Sequence, residues 1–115
     1  MDREGRSMWV FTKHGFVSIV QHHDDPGIML VRSRTTRPLD ALWPDYEVHE
    51  IGWADYRYRI FVPREGVSLV IVDAIEGIEY PNFKAACTDD HEYQTALASV
   101  WWKMLETQTR EGEEP

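Results

Sequence analysis

Arg64–Ile78 reads REGVSLVIVDAIEGI, and the way it folds decides the architecture. The segment VSLVIV alone is strand-like, rich in β-branched residues. Over the longer window Val67, Val70, Ile71, Ala74, Ile75 and Ile78 recur at helical spacing, an apolar face of about three turns. Glu65 stands where a helix N-terminus favours an acid. Pro63, just before it, cannot continue a central ladder but suits a first helical turn. A helix is therefore predicted over 64–78, and the chain changes from β to α at Pro63.

Upstream of that point the patterns are mostly strands. MWVFT (8–12) and FVSIVQHH (16–23) flank the short connection KHG and read as a hairpin. HDDPG (23–27) is turn chemistry, and IMLVRSR (28–34) is the next strand. Leu39, Leu42 and Trp43 mark a short helix over 35–44 that Pro44 stops. YEVHEIGW (46–53) and YRYRIFV (56–62) read as strands four and five. Downstream, YPNFKAAC (80–87) suits a short helix. Asp89 or Asp90 can cap a last helix striped by Ala96, Leu97, Val100, Trp101, Met104 and Leu105. The order β-β-β-α-β-β-α-α-α predicts an α+β fold: an antiparallel β-sheet of about five strands with helices packed on one face. The other face is left to solvent or a ligand. Residues 1–7 read as a flexible extension, 8–106 as a single domain and 107–115 as an acidic flexible tail.

The bulk numbers agree. The chain has 115 residues, 43% hydrophobic with five Trp, five Tyr and four Phe, which is enough for one core and too apolar for a disordered chain. One cysteine, Cys87, excludes an internal disulfide and a Cys-rich zinc site, and fits a reducing cytoplasm. MDREGRSM has no apolar segment of a signal peptide. No run approaches the roughly 18 apolar residues that cross a bilayer, so no membrane partner is expected. Residues 1–64 carry nine acidic and nine basic side chains, and residues 65–115 carry eleven and three. The whole net charge of -8 thus lies in the second part. Such a chain is a poor non-specific nucleic-acid binder, although a basic patch in the balanced part is compatible with this.

Strand phase points to such a patch. Arg32 and Arg34 share one side of the third strand, and Arg57 and Arg59 share one side of the fifth, opposite Tyr56, Tyr58 and Ile60. If these strands lie close together, the guanidinium forks form an anion platform. The plainer alternative is solvated strand arginines paired with Asp55, Glu47 or Glu50, and exposed charge is the commoner situation. His14, His22, His23, His49 and the acids of HHDD raise metal ligation, but adjacent strand histidines point apart, so no metal site is expected. Cys87, among alanines, reads as an inert buried thiol. Asn82 and Lys84 beside Tyr80 and Phe83 either read a ligand or form an anchored turn. Trp102 is a candidate contact residue. GxxxxGK[ST], GxGxxG and GxSxG are absent from the sequence, and no cofactor is expected.

Several of these stretches stand in a fixed order: MWVFT, GFVSIVQ, VRSR, DYRYR and YPNFK. The chain so resembles a family of small uncharacterised proteins of bacteria and their phages, over about residues 8–105. The resemblance implies Met8 as an ancestral start. It singles out Arg32, Arg34, Tyr58, Arg59, Asn82 and Lys84 as ligand-binding candidates, and leaves Arg57 outside the motif. The resulting expectation is a non-enzymatic binding or regulatory domain for an anionic ligand such as a nucleotide or signalling nucleotide. In a phage setting it would act as a sequestering or host-defence-related accessory protein. An alternative is a protein-interaction module or inhibitor that sets its acidic helical half against a basic partner. A small phosphodiesterase using His49 or His91 is the weakest option, because no base and nucleophile stand at a recognisable spacing. A site completed between two copies of the chain, a homo-oligomer, is also compatible with the pattern.

Overall fold

The hairpin at the start of the chain sets the sheet. In the computed structural model, which describes residues 7–87 and 90–112, β1 (Met8–Thr12) turns through Lys13 and His14 into β2 (Gly15–Gln21). Gly15 sits at φ 142°, in the region that favours glycine. A Cβ there would also meet Pro38 Cδ and Cγ at 3.0 Å. Thr12 Oγ1 donates to the Gly15 carbonyl and accepts from His14 N–H, which fixes the turn.

β3 (Ile28–Ser33) pairs with β2, and β5 (Tyr58–Pro63) pairs with β3, so α1 (Arg37–Leu42) and the two-residue β4 (His49–Glu50) lie between neighbours in the sheet. The fold is α+β, with five strands in the order β1-β2-β3-β5-β4 and every pairing antiparallel. Alternation sends Val17, Ile19, Val31, Ile60 and Val62 to one face. That face carries Leu39 and Trp43 of α1 and Val67 of α2 (Arg64–Glu76), with Val70 and Ile71 packed against the cluster. The helix predicted over 64–78 forms because its stripe has this apolar face to cover, although Ile75 and Ile78 remain exposed. Arg64 ties the start of α2 to the β2–β3 turn, donating to the Pro26 carbonyl at 2.8 Å and to Gln21 Oε1 at 3.1 Å.

One sequence expectation is corrected. The fourth strand, expected over 46–53, pairs only at His49 and Glu50, because residues 52–56 turn and bend ahead of β5. The chain divides into two compact units, Met1–Glu79 and Tyr80–Pro115. In the second unit α3 (Phe83–Ala86) precedes α4 (His91–Gly112), and residues 113–115 of the expected tail lie outside the described residues. Asp90 Oδ1 accepts from Tyr93 N–H at 3.0 Å as the cap of α4, whereas Asp89 lies outside the described residues. Of the stripe expected on α4 only Leu97 is buried; a four-residue α3 is too short to cover a 22-residue helix. Residues 1–6 of the expected extension also lie outside the described residues.

Candidate functional site

The face of the sheet away from α1 and α2 carries the arginines. Register fixes them: Trp9 pairs with Ser18, Ser18 with Arg32, Arg32 with Arg59, and Arg59 with His49. Paired residues share a face, so these five side chains form one rung across all five strands. Two like charges stand directly opposite each other on central strands, an arrangement that is destabilising unless something binds to it.

Each guanidinium is held from one end. Arg32 Nη2 donates to Ser18 Oγ at 2.9 Å, and Arg59 Nη2 donates to the Tyr56 carbonyl at 3.0 Å. The Nε atoms of both are buried and meet no acceptor among the described residues. Burial holds the Arg32 pKa below the ordinary arginine value, and the Arg59 charge pushes it the same way; Tyr56 and Asp55 oppose the shift. Arg34 lies just beyond β3 and pairs with Asp55 at 3.1 Å on the exposed surface.

Tyr56 organises this cluster, and sequence phase misplaced it. Extending the β5 alternation backward puts Tyr56 on the helix-packed side. The strand begins only at Tyr58, so the preceding turn carries Tyr56 to the arginine face instead. There its buried ring lies 4.7 Å from the Arg32 guanidinium carbon and 4.5 Å from that of Arg34, while its carbonyl takes Arg59. The signal in the sequence was the turn-forming Gly52 and Asp55 just before it.

The remaining predicted residues are elsewhere. Tyr58 pairs with Ser33 on the opposite face and packs against the core, away from Arg32 and Arg59. Arg57 is exposed and paired with Glu50 at 2.8 Å. Asn82 and Lys84 belong to the second unit: Asn82 Oδ1 caps α3 by accepting from Ala85 N–H at 3.0 Å, and Lys84 Nζ lies 4.9 Å from the Trp101 ring. His22 and His23 do not point apart as a strand pair would. β2 ends at Gln21, and the two rings stack at 5.0 Å with a ligand atom of each and one of Asp24 within 4.8 Å. Their nitrogens are engaged locally: His22 Nδ1 accepts from Asp24 N–H, and His23 Nε2 stands 3.1 Å from Asp24 Oδ2.

An open cleft of about 950 Å³ lies over the rung. Arg32, Arg59 and Tyr56 line it together with Trp9, Val20, Leu30 and Phe61. It combines cationic groups with apolar and aromatic walls, the composition of a small-molecule site.

Fold and cleft together define a class, an α+β domain with one sheet face packed by helices and the other carrying a paired-arginine cleft. No family model, no curated protein and no solved structure matches the chain. Among the described residues no helix is long and apolar enough to cross a membrane.

Proposed function

We propose that the protein is a non-enzymatic binding domain for an anionic small molecule, held by Arg32 and Arg59 on the open face of the sheet. The observation that carries this is the direct pairing of these two residues on adjacent central strands, with both Nε donors buried and without an acceptor among the described residues. Buried donors left unmet cost about 1–3 kcal/mol each, so such a pair is retained where it does something else. A phosphate or carboxylate supplies the countercharge and accepts from guanidinium N–H groups of the two residues, which line the cleft. Arg34, already paired with Asp55, stands at the margin and adds field rather than direct contacts. The test is calorimetric titration and thermal shift with inorganic phosphate, pyrophosphate and nucleotides. A ligand that binds the folded state raises the melting temperature, and Arg32→Ala and Arg59→Ala abolish the rise. Absence of any shift at millimolar anion would sink the reading.

A second reading has its own support in α4, where Trp102 is 62% and Met104 60% exposed beside an acidic stretch. A protein partner meeting that helix would be basic, and its capture would weaken as salt rises. Binding that is indifferent to salt and to Trp102→Ala counts against it.

A further inference from the structure

The cleft carries a second rung beside the cationic one. Val20 pairs with Leu30, and Leu30 with Phe61, on the same face and two residues further along each strand. Two residues of strand separate the rungs by about 6.5–7 Å. The apolar rung is not part of the core, which lies on the other side of the sheet. Phe61 is 41% exposed despite its place on a central strand, and all three residues line the cleft with Arg32 and Arg59.

The aromatic surroundings of this rung are specific. The Phe61 ring has the His22 ring at 5.8 Å and the His49 ring at 5.4 Å. Trp9, 65% exposed, forms the wall at the β1 edge. Past the apolar rung along β2 the cleft is also lined by Gln21, His22 and His23, polar groups that would interrupt a long acyl chain. The apolar track is therefore short and flat, bounded by polar side chains at one end and by two guanidiniums at the other.

Resting on the anion reading of Arg32 and Arg59, we propose that the ligand is a nucleoside phosphate, with its base on the Val20–Leu30–Phe61 rung and its phosphate on the Arg32–Arg59 rung. The ribose would span the gap of about 6.5–7 Å between the two rungs. Stacking of a base on an aromatic side chain is largely indifferent to base identity, so purine and pyrimidine nucleotides both bind, the larger ring more tightly. Asp55, the acid in the cleft, is engaged by Arg34 and does not repel the phosphate at full strength.

The experiment is calorimetric titration of the full chain with inorganic phosphate, ribose 5-phosphate, AMP, UMP and the unphosphorylated nucleosides. The wild type and the variants Arg59→Met and Phe61→Ala are compared, with folding checked by circular dichroism. AMP is expected to bind about ten-fold or more tighter than ribose 5-phosphate. Phe61→Ala reduces AMP to the level of ribose 5-phosphate while leaving the latter unchanged, and Arg59→Met weakens every phosphorylated compound. Equal affinity of AMP and ribose 5-phosphate for the wild type overturns the base seat and leaves the anion reading standing; this comparison needs no variant. If no phosphorylated compound binds, or if nucleosides bind as well as nucleotides, both readings fall.

Discussion

Replacing Arg59 with methionine is expected to remove anion binding without harming the fold, and it tests whether the sheet holds an uncompensated charge pair. The change removes one charged hydrogen bond, from Nη2 to the Tyr56 carbonyl, a loss of about 1.5–3 kcal/mol. It also removes a buried Nε that has no acceptor among the described residues, which returns about 1–3 kcal/mol. The repulsion on Arg32 disappears as well. Two guanidiniums in an open cleft, at an effective dielectric of roughly 40–80, repel by at most about 1–2 kcal/mol. Methionine keeps the apolar stem that arginine lays on the sheet. The sum lies between a loss of about 1 and a gain of about 3 kcal/mol, centred slightly on the stabilising side. Urea unfolding followed by far-ultraviolet circular dichroism, with and without phosphate, measures it. Phosphate should stabilise the wild type and not the variant. A loss above about 3 kcal/mol in the absence of phosphate would refute the reasoning, because Arg59 would then be a structural anchor. Arg32→Met is the contrasting control: it strips the donor from Ser18, which is fully buried, and the cation from the Tyr56 ring, so a net loss of about 1–3 kcal/mol is expected. The repulsion has no pH signature in the usual range. Arg32 is a base with a lowered folded-state pKa, so the unfolded chain holds more protons only near the arginine pKa, and stability would rise with pH only there.

The remaining predictions concern the frame and the residues set aside. Ile60→Ala, at a fully buried position of a central strand, should lower stability by about 2–5 kcal/mol in the same unfolding assay. Gly15→Ala places a Cβ against the Pro38 ring at a positive φ and should lower stability by about 1–3 kcal/mol, seen as a drop in melting temperature. Arg57→Ala removes only an exposed pair with Glu50 and should change stability by less than about 0.5 kcal/mol and phosphate affinity less than two-fold, measured by calorimetry. Asn82→Ala deletes the α3 cap and should reduce stability by about 0.5–2 kcal/mol without altering phosphate affinity; a loss of affinity would restore Asn82 to the site.

The local periodicities were legible. Alternation in MWVFT, GFVSIVQ, IMLVRS and YRIFVP placed the sheet, and the stripe from Val67 to Ala74 placed α2, because side-chain direction in regular elements follows from the repeat alone. The phase of Arg32 with Arg59 was readable for the same reason. Their being direct neighbours was not, since β5 inserts beside β3 only after the chain has passed through α1 and β4. Tyr56, His22 and His23 were misplaced just where a strand stops, because alternation carries no information past the last ladder residue. Asn82 and Lys84 shared motif status with the arginines but have local partners, a cap and a ring, within the second unit. By itself the sequence determined which residues alternate, which helices are amphipathic and that the first part is charge-balanced. Only tertiary structure decided that two guanidiniums stand on paired positions beside an apolar rung, because strand order and register are set by how the α1 and α2 stripes cover the other face of the sheet.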